Sequence, residues 1–105
     1  MFIKSILNKV GIPTDSAEFL INKVEIAHII DGRVRVIYKD LKSDVALCHE
    51  IEKRLGAIDE ITSFKINKIT GSLLIIYDVK RASNNKFITK FVELAKAKYS
   101  KQKGI

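Results

Sequence analysis

Soft metal ligands are nearly missing from this chain. Cys48 is the only cysteine and Met1 the only methionine of 105 residues. A lone thiol makes no internal disulfide, no Cys-x-x-Cys pair and no zinc ribbon. Tight copper(I) or zinc binding draws on several thiolate, thioether or imidazole donors at once. Beside Cys48 the chain offers only His28 and His49, so no cysteine-based copper or zinc site is expected. Proline occurs once, at Pro13, and no Gly/Ser/Pro-rich stretch marks a linker. No apolar run approaches the ~20 residues that cross a bilayer. The opening MFIKSILNKVGI lacks the continuous apolar core and small-residue cleavage site of a secretory signal. A cytoplasmic location is the expectation.

Acidic residues are also in deficit, 12 against 19 lysines and arginines, which leaves a net charge of +7. Such a surface favours phosphates, acidic partners or anionic lipid. The excess is lysine, 15 against 4 arginines, whereas base readout relies more on the forked guanidinium. Nucleic acid is therefore a weak expectation and a solvated lysine surface the stronger one. Catalytic signatures are missing as well. There is no Gly-x-Ser-x-Gly, no phosphate-binding glycine loop and no His-Glu-x-x-His, and the chain reads as a non-enzyme.

What is present is alternating helix and strand periodicity. Phe2, Ile3, Ile6, Leu7 and Val10 recur at spacings of three and four, an amphipathic helix stopped by Gly11. Asp15-Ser16-Ala17-Glu18 reads as a capping box opening a short helix through Phe19 and Leu20. Residues 24–38 are rich in β-branched residues, with Val34, Val36 and Tyr38 alternating against Arg33, Arg35 and Ile37. Asp31-Gly32 interrupts that run. It can be a two-residue hairpin turn or a glycine bulge kinking one long strand.

Ser43 and Asp44 start a helix to about Leu55, with Leu47, Cys48, Ile51 and Leu55 on one face and Gly56 as its stop. On that helix Cys48 reads as a small buried hydrophobe, and His49 falls on the polar side. Residues 60–69 and 72–78 are strands joined at Thr70-Gly71. Ser83 is expected to cap a last helix burying Phe87, Phe91, Leu94 and Ala95, and the basic end KAKYSKQKGI is expected to fray.

The order from Val24 is strand, helix, strand, strand, helix. This is an α+β, ferredoxin-like βαββα(β) layout, with two helices on one face of an antiparallel sheet and no clear fourth strand. Residues 1–22 form a helical extension and 23–105 the domain. Leu73, Leu74, Ile75 and Ile76 make one strand apolar on both faces. The leading amphipathic helix or a second copy is expected to cover the open sheet face. The sheet edge left by the missing strand invites pairing.

Two short segments resemble a known family. His28-Ile29-Ile30-Asp31-Gly32-Arg33-Val34-Arg35 is similar to the His-x-x-Pro-Gly-Arg-x-Arg opening of divergent heavy-metal-associated domains, with Asp31 in the place of proline. Asn67-Lys68-Ile69-Thr70-Gly71-Ser72-Leu73, continuing to Tyr77-Asp78, matches that family's Asn-x-x-Thr-Gly-Ser-Leu strand turn. The resemblance covers about residues 24–99 and favours the kinked strand over the hairpin. Metal chaperones of this superfamily carry two cysteines where this chain has Lys39-Asp40-Leu41-Lys42-Ser43-Asp44. The resemblance therefore implies the fold and a link to metal or haem handling without the cysteine site. Cysteine-free relatives also occur as accessory modules of membrane transporters.

The candidate ligand-binding residues are His28, Arg33, Arg35 and Tyr77. His28 stands in the family-like opening and is a candidate metal or axial haem ligand. Arg33 and Arg35 share one side of a strand and can fork onto a propionate, a phosphate or an acidic partner. Tyr77, with Tyr38, can stack on a base or a porphyrin. The bland alternatives are a packed histidine, charge-protected strand edges and tyrosines that simply fill the sheet. Three roles stay open: a non-catalytic domain handling haem or a metal-containing ligand, a module that dimerises or docks a protein through its sheet face or edge, and membrane-surface contact through residues 2–10.

Overall fold

The computed structural model describes residues 14–104, the side chains of residues 14–16 and 19 apart. The expected helix over residues 2–10, with its Gly11 stop, lies outside that range. The elements in chain order are α1 (Thr14–Lys23), β1 (Glu25–Ile30), β2 (Arg33–Ile37), a 3-10 turn (Lys39–Lys42), α2 (Val45–Gly56), β3 (Ile61–Asn67), β4 (Ser72–Tyr77), α3 (Val79–Ala82) and α4 (Lys86–Gln102). The four strands form one antiparallel sheet in the order β1-β2-β4-β3. This is the expected α+β ferredoxin-like architecture.

The kinked strand is corrected to a hairpin. β1 and β2 pair antiparallel, with Ile30 opposite Arg33, so Asp31-Gly32 is a two-residue turn. Gly32 has φ 83°, a conformation that costs a residue with a Cβ but not glycine. A Cβ there would also lie 3.3 Å from the Tyr77 carbonyl oxygen. One long kinked strand would leave the backbone of residues 25–30 without a partner. The hairpin pairs it with β2 and buries Ile26 in the core.

The hairpin also corrects the expectation of a vacant edge. In a ferredoxin-like sheet the strand after the second helix occupies the edge beside the first strand. Here β1, which comes earlier in the chain, sits there. It carries a bulge between Ile26 and His28, a common device at sheet edges. The outer side of β1 is closed by a side chain. Gln102 Oε1 accepts from the Ile26 N–H at 2.8 Å, and Gln102 Nε2 donates to the Ile26 carbonyl at 2.8 Å. One amide thus makes the two bonds that a neighbouring strand would make, which blunts the edge.

Strand alternation decides the two faces of the sheet. Val34 and Val36 of β2 are opposite Ile75 and Leu73 of β4, and all four are buried with Ile26 under the helices. Phe64 and Ile66 extend the same face on β3. Leu74 and Ile76 point the other way and are half-buried. The doubly apolar β4 is central, flanked by β2 and β3.

Asp44 caps α2, its Oδ1 accepting from the Leu47 N–H at 2.9 Å, as expected. Three terminal expectations shift. α1 already begins at Thr14, one residue before the anticipated Asp15 cap. Asn85, not Ser83, caps the last helix by accepting from the Ile88 N–H. Ser83 instead closes the one-turn α3 that Asp78 starts. The basic tail does not fray, because α4 runs to Gln102. Lys98 Nζ donates to the carbonyls of Ile21, at 2.6 Å, and Val24, satisfying groups at the end of α1. α1 consequently packs on α4, in the helix layer, burying Ala17 and Ile21.

Gln102→Ala is expected to cost about 1–2 kcal/mol in urea unfolding, two hydrogen bonds being lost, and to speed hydrogen exchange at the Ile26 amide. Gly32→Ala is expected to destabilise by about 1–2 kcal/mol through its positive φ alone.

Candidate functional site

The open sheet face carries most of the sequence candidates. The register sets His28 opposite Arg35, Arg35 opposite Leu74, and Leu74 opposite Lys65. The neighbouring row is Ile30, Arg33, Ile76 and Ser63. Strand spacing makes each row about 14 Å across. His28, Arg33 and Arg35 are therefore brought together on a ground of Ile30, Leu74 and Ile76. Ile30 is 52% exposed, and Leu74 and Ile76 are half-buried.

Arg33 is half-buried and Arg35 exposed, and among the described residues neither forms an ion pair. His28 sits at the outer strand, its ring edge-on to Tyr99 of α4 with centroids 6.5 Å apart. Tyr77 does not join this group. It lies on the buried face of β4, 8% exposed, against the helices. Tyr38, the other tyrosine of that reading, faces the helix layer too.

The cysteine and second histidine do not converge either. Cys48 is 1% exposed and its thiol donates to the Leu41 carbonyl at 3.5 Å, the packing role expected of it. His49 is exposed on the far side of α2. Among the described residues no group of three or more His, Cys, Asp or Glu side chains could hold a metal ion. The donor set thus does not fit a directly ligated ion.

A second feature had no counterpart in the sequence reading. A cleft of about 240 Å3 opens between α1, α2 and α4, above the buried face of the sheet. Leu20 of α1 and Val24 just after it, Leu47, Ile51 and Leu55 of α2, and Phe91 of α4 form its walls. It exceeds the roughly 150 Å3 that admits benzene in an engineered core. Among the described residues the charged groups at its lip are Glu50 and Arg54, paired at 2.5 Å one helical turn apart. Leu47, Ile51 and Leu55 were legible as a core stripe. That the described helices leave their stripe partly uncovered was not, because it depends on where α1 docks.

Tyr38 lies between this cleft and the 3-10 turn. Burial raises its pKa above the ordinary 10.0, and the carboxylates of Asp40 and Asp44 add to the shift. No helix among the described residues is long and apolar enough to cross a membrane.

The family model for heavy metal associated domain 2 matches residues 13–104. With nearly the whole chain covered, the protein belongs to that family. The match extends beyond residues 24–99 at both ends and takes in α1 and the full length of α4. No curated protein and no solved structure matches the chain.

A raised tyrosine pKa favours the neutral phenol in the folded state. Its stabilisation is complete below the unfolded value near 10.0 and is lost as pH climbs through the folded value. Alkaline titration followed by absorbance is expected to show one late-ionising tyrosine, missing in Tyr38→Phe. That variant is expected to lose less stability than the parent above pH 10.0.

Proposed function

We propose that this member of the heavy metal associated domain 2 family is a non-catalytic binding domain that takes its metal inside an anionic organic ligand, haem being the chemical type. The family points to metal handling, while the described side chains offer no cluster for an ion. An enclosed metal reconciles the two, because a macrocycle supplies most of the donors and leaves the protein one ligand to provide.

The observation that carries this reading is the pair Arg33 and Arg35, without an acidic partner among the described residues, beside an apolar stripe and with Arg35 opposite His28. A half-buried arginine such as Arg33, with no counter-ion among the described residues, is a ready fork for a carboxylate. Arg33 and Arg35 would hold propionates, Ile30, Leu74 and Ile76 would support the macrocycle, and His28 would supply the imidazole. Bound iron would bring ligand or electron exchange; the protein's own residues bind and orient.

A second reading rests on the same face. Ile30, Leu74 and Ile76 form an apolar patch that a second copy or a protein partner would cover, with the arginines setting the charge of that partner.

Haem titration is expected to give a saturable Soret change at one equivalent that disappears in His28→Ala. Removing both arginines is expected to weaken affinity by at least tenfold, the equivalent of about 1.4 kcal/mol. An unchanged Soret band with the parent protein rejects the haem reading. Light scattering at two concentrations then decides the second one, since Ile76→Lys must shift any dimer toward monomer.

A further inference from the structure

We propose that the outer edge of β3 pairs antiparallel with β3 of a second copy of this chain, joining the two sheets into one continuous sheet. The open face stays uncovered, so the ligand or partner described above is not displaced.

The two edges of the sheet are finished differently. On β1, Gln102 occupies the outward N–H and carbonyl of Ile26. On β3 the outward groups follow from the bonds of β4. Tyr77 N–H donates to the Gly32 carbonyl on the β2 side, and Asp78 N–H to the Glu60 carbonyl on the β3 side. Alternation then turns the backbone groups of Leu74 and Ile76 toward β3, where they face Lys65 and Ser63. The N–H and carbonyl of Phe64 and Ile66 consequently point away from the sheet, and among the described residues no bond reaches them. The usual protections of an edge are thin here. β3 has no proline and one charge, Lys65, with a bulge only at its start, between Ile61 and Ser63.

Self-pairing must also tolerate the strand's own charges. Centring the pair on Lys65 sets that lysine against itself, which is destabilising. Centring it on Ile66 sets Phe64 against Lys68 of the copy. Centring it on Phe64 exchanges the outward bonds of that residue and sets Lys65 opposite Ser63 of the copy. It also brings Glu60 close to Lys68 of the copy, so opposite charges meet at both ends of the seam. The open face is a poorer seam for a copy, since Arg33, Arg35 and Lys65 would meet the same three cations there.

The edge seam covers apolar surface as well. Phe64 and Ile66 lie on the helix side of β3 and are half-buried, whereas Leu73 and Ile75 of the neighbouring β4 are buried. On α2 the side opposite the cleft wall carries Val45, His49 and Glu52 and is turned toward the same edge. Val45 is 55% exposed, and the α2 of the copy, lying across the seam, shelters it.

Sedimentation velocity of the full chain from micromolar to millimolar concentration is expected to show monomer passing to dimer. Amide hydrogen exchange at Phe64 and Ile66 is expected to slow over the same range, with Ile26 unchanged. Lys68→Glu is expected to weaken the dimer by about tenfold, since two exposed pairs turn repulsive, and Glu60→Lys in the same chain to restore it. Ile76→Lys, on the open face, is expected to leave it intact. A chain monomeric throughout overturns the proposal. So does a dimer whose Phe64 and Ile66 amides exchange at the same rate at every concentration, one that Lys68→Glu leaves unchanged, or one that Ile76→Lys dissolves.

Discussion

The reversal of the chain at Gly32 is the constraint on which the other placements depend. A φ of 83° lets β1 turn back on β2 within two residues and take the edge position of the sheet. With β1 there, Ile26 presents its free backbone groups outward, and Gln102 at the end of α4 can satisfy both. That anchor brings Lys98 to the last carbonyls of α1. α1 is thereby held in the helix layer, and its Leu20, with Val24 just beyond its end, becomes one wall of the cleft. Each step satisfies buried or edge backbone groups that would otherwise stand unpaired, which is why the steps are coupled.

Faces and function separate along the same lines. Alternation in β2 sends Val34 and Val36 into the core and leaves Arg33 and Arg35 on the open face. β4 repeats the division with Leu73 and Ile75 inside and Leu74 and Ile76 outside. The core needs only the inner half of this pattern. The outer half sets two arginines, without an acidic partner among the described residues, on aliphatic ground. The family handles metals, and among the described residues no cluster of three or more His, Cys, Asp or Glu stands ready for an ion.

Much of the fold was legible because it rests on local chemistry. Asp44 before an apolar helix stripe is a cap wherever it occurs, and it caps here. The inward residues of β2 followed from period-two alternation, and Cys48 from its place on the α2 stripe. The site was legible in part. Arg33, Arg35 and His28 share a face because strand register makes neighbours of them, but Tyr77 has the opposite parity on β4 and is buried away from them.

Composition and periodicity by themselves determined most element types, the single-cysteine chemistry, the amphipathic character of residues 2–10 and the alternation of β2, since all of these depend on residues within a turn or two of one another. Tertiary structure alone decided the rest. Asp31-Gly32 could turn or kink, and the need to pair the backbone of β1 selected the turn. KAKYSKQ carries no local signal for order, yet Lys98 and Gln102 find carbonyls and an amide 74 to 77 residues away and hold the helix to its end. The edge strand, the dock for α1 and the cleft it leaves are long-range pairings, and no spacing within a short stretch of chain records them.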